Sequence, residues 1–140
     1  MAGAADCELA DAPEREVMRP VDQTILQIGH GNCLAACLAS ILELPCDDVP
    51  PVSHSPEQIA WLRDRGFELL RVPSDAFEVR RLPEVPYVMT ALSPRAPTFH
   101  AVVCRGGEIV WDPHPLRHMG LGGPAVEYLF LVPTDPERRI

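Results

Sequence analysis

The run Gln27-Ile28-Gly29-His30-Gly31-Asn32-Cys33 leads into an apolar helical pattern, Leu34-Ala35-Ala36-Cys37-Leu38-Ala39-Ser40-Ile41-Leu42, which Cys33 opens. A thiol attacks a carbonyl well only as its anion, and the first turn of a helix favours that anion through unpaired backbone N–H groups and aligned peptide dipoles. Gln27 lies just upstream, where a side-chain amide can meet charge that develops on an attacked carbonyl oxygen. Far downstream, Phe99-His100-Ala101-Val102-Val103-Cys104 carries a candidate base, His100, and Ile109-Val110-Trp111-Asp112 carries a carboxylate to orient it. The chemistry these types sketch is nucleophilic attack by Cys33 on an amide, with proton transfer through His100.

Whether His100 and Asp112 can meet depends on the turn between them. Arg105-Gly106-Gly107 divides two β-rich runs. A three-residue loop with glycine in the left-handed position pairs Cys104 with Glu108, Val102 with Val110 and His100 with Asp112, placing the last two Cβ atoms about 5 Å apart on one face. A two-residue turn on Gly106-Gly107 shifts the register by one and sends the two side chains to opposite faces. The catalytic reading therefore expects the longer loop.

Around these residues the pattern is helices first, then strands. Leu34, Cys37, Leu38, Ile41 and Leu42 share one face of a helix expected from about Asn32 to Leu42, with Pro45 stopping it. Ser55-Pro56-Glu57-Gln58 reads as a second helix start, with Ser55 at the N-cap and Gln58 completing a capping box, and Gly66 supplies the stop. Short β-like runs follow at 67–72, 87–92, 98–104, 108–112 and 126–132. The expected fold is α+β, a central helix packed on a mostly antiparallel sheet. Residues 1–20 read as a flexible acidic lead-in, 21–133 as the working domain and 134–140 as a tail.

The bulk properties narrow the function classes. A chain of 140 residues removes roughly two thirds of its unfolded surface from water, enough for one core. Twelve basic against twenty acidic residues give a net charge of −8, which repels phosphate backbones and anionic lipid and argues against nucleic acid or a membrane surface as partner. The first sixteen residues lack a basic n-region and an apolar h-region, and the apolar run from Tyr128 to Val132 is too short to cross a bilayer. Five cysteines without Cys-x-x-Cys spacing fit neither a disulfide framework nor a zinc ribbon, so reduced thiols and a cytoplasmic location are expected. Sixteen prolines fall mostly between the periodic segments and stiffen the connections.

The order Gln27, Cys33, His100, Asp112 resembles that of the papain-like cysteine peptidase superfamily, in which cysteine heads the central helix and histidine lies on the sheet. More closely, Gly31-Asn32-Cys33-Leu34-Ala35-Ala36-Cys37-Leu38-Ala39-Ser40, Ser93-Pro94-Arg95, His100-Ala101-Val102-Val103 and Asp112-Pro113-His114-Pro115 look like small bacterial and phage proteins grouped with the C39-like peptidases. The likeness covers roughly residues 20–122. It implies Cys33 as nucleophile, His100 as general base and acid, Asp112 as orienter and Gln27 as oxyanion donor, with a peptide or protein substrate and neither cofactor nor metal. Leu34 departs from the glycine that many of these enzymes place after the cysteine, and the short chain leaves little protein for an extended cleft.

Other readings compete at each position. Cys33 is also a small buried hydrophobe, and Cys37, Cys46 and Cys104 read as packing residues. His30, between two glycines, is the competing base, and Asp112 before Pro113 is a natural turn residue. His114 and His118 have a zinc-compatible spacing, with Cys33, Cys37 and Asp112 as further ligands, but Pro115 opposes the helix that would align the imidazoles. Arg95 and His114 are placed at the cleft rim as substrate contacts. The same triad serves hydrolysis, glutamine deamidation or acyl transfer, and a binding or adaptor module that acts through a protein partner with an idle cysteine is the alternative from another class.

Overall fold

The computed structural model describes residues 18–26, 31–76, 85–95, 98–116 and 121–134. Its elements are α1 (Cys33–Leu42), α2 (Pro56–Asp64), β1 (Phe67–Pro73), β2 (Pro86–Leu92), β3 (Phe99–Arg105), β4 (Glu108–Trp111) and β5 (Glu127–Pro133). The five strands form one sheet in the order β1-β5-β2-β3-β4, and every pairing is antiparallel. The architecture is helix plus antiparallel sheet, with each strand within two residues of its predicted bounds.

α1 is buried on nearly every face, from Leu34 through Ile41, as expected of a helix that is apolar all round. It packs against β2 and β3 in the middle of the sheet. Leu34, Leu38 and Ile41 join Val88, Ala101, Val103 and Leu129 in the main core, while α2 contributes Leu62. The opposite face of the sheet carries a second cluster of Tyr87, Val102, Cys104 and Tyr128. Tyr87 and Tyr128 meet edge to face at 5.8 Å between ring centroids. Alternate residues of β3 therefore serve two different cores, which pins its register.

Two helix boundaries differ from expectation. α1 ends at Leu42 because Glu43 takes the left-handed conformation (φ 62°) and its N–H reaches back to the helix carbonyls, so Pro45 follows the stop and does not make it. At α2, the Ser55 hydroxyl accepts from the Gln58 N–H at 3.1 Å, but the Gln58 side chain bonds the His54 N–H and the Pro50 carbonyl instead of closing the box on Ser55.

The segment before α1 is tied across the molecule. Val21 N–H donates to the Ser40 hydroxyl at 3.0 Å, Trp111 Nε1 donates to the Val21 carbonyl at 2.8 Å, and Gln23 N–H donates to the Pro113 carbonyl at 2.9 Å. These bonds hold residues 21–23, the last turn of α1 and the end of β4 together. Among the described residues, no helix is long and apolar enough to cross a membrane.

Candidate active site

The β3–β4 connection overturns the expected loop. Arg105 pairs with Glu108 and Cys104 with Ile109, so the turn is the two-residue one. Gly106 (φ 62°) and Gly107 (φ 88°) supply the two left-handed positions it needs. By itself that register would put His100 and Asp112 on opposite faces. A β-bulge reverses the effect: the next pair is Val103 with Trp111, which leaves Val110 as an extra residue on β4. Counting on, Asp112 falls opposite Val102 and diagonal to His100, on the same face. The short turn and the bulge are two one-residue shifts whose effects on side-chain direction cancel.

His100 and Asp112 do meet. His100 Nε2 lies 2.7 Å from Asp112 Oδ1, with the side chains only 4% and 7% exposed. The same carboxylate oxygen accepts the His114 N–H at 3.0 Å, so the Asp112-Pro113-His114 turn helps hold the acid. With Nε2 engaged, Nδ1 is the ring nitrogen left for Cys33, which lines the same cleft and helps raise the His100 pKa. Burial pulls the His100 pKa down, but hydrogen bonds to Asp112 and Cys33 and their charges outweigh it and carry it up to about 9. Burial likewise opposes the charge on Asp112, yet the bonds from His100 and from the His114 N–H hold its pKa below the ordinary carboxylate value. Both shifts favour an imidazolium–carboxylate pair at neutral pH.

Cys33 is the first residue of α1 and is half-buried. The other described cysteines are buried. Burial, reinforced by the charges of Cys33 and Asp112, pushes the Cys37 thiol well up. Burial alone takes Cys104 to about 12. Burial also raises Cys46, against hydrogen bonds from Thr24 and Asn32. These thiols are buried and held toward their neutral form, as packing residues are.

Cys33 and His100 open into a cleft of about 660 Å³. Its apolar lining comes from Ile25, Leu26, Val52 and Phe99, and its polar lining from Gln23, His54, Arg71, Arg95, His114 and Glu127. Arg95 and His114 thus lie on the cleft, and the His114 ring stands edge-on to His100 at 6.2 Å. Arg71 and Glu127 form a two-contact ion pair, both at 3.2 Å. Gln27, His30 and His118 lie outside the described residues. Among the described residues, no group of three His, Cys, Asp or Glu is placed to hold a metal ion.

Two residues that the sequence reading passed over shape this site. Gln23 is 7% exposed and lines the cleft. Its Nε2 donates one hydrogen to the Ile25 carbonyl at 2.9 Å, which leaves the other for a ligand. Asn32, 1% exposed, occupies the N-cap position but makes no side-chain bond to the helix. Its Oδ1 instead accepts from Thr24 and Ile25 N–H at 3.1 and 2.9 Å. Its Nδ2 donates to Thr24 Oγ1 at 3.0 Å and to Cys46 Sγ at 3.3 Å. Asn32, the residue before Cys33, thereby fixes Thr24 and Ile25 against the start of α1, and its cap-type side chain ahead of an apolar helix is the sign the sequence offers. Comparison with family models, with curated proteins and with solved structures gives no match for this chain.

Proposed function

We propose that this protein is a papain-like thiol hydrolase that cleaves a peptide or amide bond through an acyl-enzyme on Cys33. The observation that carries the reading is the buried 2.7 Å contact of His100 with Asp112, on a residue that shares a cleft with a cysteine at a helix N-terminus. In the first half-reaction Cys33 Sγ bonds to the carbonyl carbon and the carbonyl π pair moves onto oxygen. Collapse of that oxyanion breaks the C–N bond, and the imidazolium gives its Nδ1 proton to the leaving amine. Water then attacks the thioester, its proton passes to His100, and the Cys33 thiolate leaves with the C–S electron pair.

The oxyanion donors in this reading are the Cys33 backbone N–H and a glutamine amide, each worth about 3 kcal/mol in the barrier. Gln23 has the burial and the cleft position for that role; Gln27 has the spacing to Cys33 for it. Glutamine deamidation and acyl transfer would use the same groups, since only the second nucleophile differs. A thiol of this kind works only while reduced, which favours the cytoplasm.

Iodoacetamide near neutral pH tests the reading. Mass spectrometry is expected to find Cys33 alkylated well ahead of Cys37, Cys46 and Cys104, with the rate falling about tenfold or more in His100→Ala. Alkylation of Cys33 no faster than that of an ordinary exposed thiol would sink the hydrolase and favour a binding module. A peptide and acyl-amide library run on the wild type and on Cys33→Ser then identifies the reaction.

A further inference from the structure

Arg95 lies on the loop between β2 and β3, which is held closed by the Ser93 N–H to Thr98 carbonyl bond at 2.7 Å. Its own backbone N–H donates to the Ser93 hydroxyl at 3.1 Å. The side chain lines the cleft with Cys33 and His100, and its Nη1 is shut off from solvent without a hydrogen-bond partner among the described residues. A guanidinium nitrogen deprived of water and given no acceptor is costly, and the half-buried side chain recovers that cost when it turns to meet an acceptor in the cleft.

Two acids near the cleft already hold other groups. Glu127 holds Arg71 through two 3.2 Å contacts, and Asp112 holds His100 and the His114 N–H. Arg95 lines the same cleft as Cys33 and His100, so an anion on Arg95 would share that cleft with the reacting centre. The chain is acidic overall, at −8, and a half-buried cation lining its cleft is therefore a local arrangement that general surface charge does not explain.

Resting on the hydrolase reading, we propose that Arg95 forms a carboxylate subsite, and that the substrate is an acidic amide with a carboxylate within about one residue of the bond that Cys33 attacks. The planar guanidinium matches a carboxylate fork, which a lysine in the same place could not reproduce. Two sources supply that chemistry: the free α-carboxylate at a peptide C-terminus, and an Asp or Glu side chain.

Iodoacetate and iodoacetamide separate this proposal from the one it rests on, because both alkylate Cys33 and only the first carries a carboxylate. The ratio of their rates at Cys33, read by mass spectrometry, is expected to exceed that of a small free thiol. It should fall about tenfold in Arg95→Gln and recover only in part in Arg95→Lys. A ratio is taken on one protein, so a general loss of reactivity in a variant cancels from it.

A wild-type ratio that Arg95→Gln leaves unchanged overturns the subsite while the thiol hydrolase stands. Slow alkylation of Cys33 by both reagents overturns both. Protection of Cys33 from iodoacetamide then distinguishes the sources, using an N-acetyl dipeptide as the free acid, as its C-terminal amide, and as an amide bearing Glu. Protection by the first alone marks a chain-end carboxylate, protection by the first and third marks either carboxylate, and equal protection by all three overturns the subsite.

Discussion

At the scale of single residues, the site depends on a carboxylate whose work is electrostatic as well as orienting. Burial alone would lower the His100 pKa, and it is the bonded, charged Asp112, together with Cys33, that takes it up to about 9. Asp112→Asn keeps a side-chain oxygen that can accept from Nε2 but removes the charge. In that variant the His100 titration midpoint, followed by NMR of the imidazole, is expected to drop from about 9 to below about 7. Cys33 alkylation at neutral pH should slow with it. A midpoint left where it was would mean that Asp112 does not set the charge of the ring.

Cys33, His100 and Asp112 could be picked from the chain because each has a rare type in an informative place: the head of an apolar helix, a strand, and the far end of the next strand. Gln23 and Asn32 could not. Asn32 meets the Thr24 and Ile25 backbone only after 21–26 has folded back against α1, Gln23 is set in the cleft by its N–H bond to the distant Pro113 carbonyl, and no local period or spacing encodes either contact.

At the scale of elements, the hairpin shows how a wrong turn and a right pairing can coexist. The two glycines were legible as a turn, and the strands on either side as strands. What the alternation of β4 did not disclose is that Val110 is supernumerary, since Ile109 and Val110 are both exposed and neither marks the inner face. Deleting Val110 would let Trp111 take the regular position opposite Val103, keeping Trp111 bonded to Val21 and Asp112 on the His100 face. Rapid Cys33 alkylation should survive that deletion. Inserting one alanine after Val110 should abolish it, because Asp112 is then carried to the opposite face. The reverse pattern of rates would show that the bulge itself, and not side-chain direction, positions the acid.

For the whole molecule, the buried pair ties the stability of the fold to pH. His100 binds its proton more tightly folded than unfolded, with the pKa raised from 6.5 to about 9. Its stabilising contribution is thus fully present below about pH 6.5 and is lost as pH rises through about 9. Asp112 has the opposite sign: its folded pKa is lowered from 3.8, so its contribution is present above that value and is lost as pH falls through the folded one. The rise on His100 corresponds to at most about 3 kcal/mol, a large share of a typical domain's margin. Urea unfolding at a series of pH values should show the wild type weakening between pH 6.5 and about 9. Buried thiols such as Cys104, and Tyr87 whose pKa burial raises, also favour the unfolded state at the alkaline end. His100→Gln retains those groups, so the difference between the two stability curves isolates the pair. A wild-type curve that runs parallel to that of His100→Gln from pH 6 to 10 would show that the imidazole contributes nothing to stability through its charge, and the ion-paired site would fail with it.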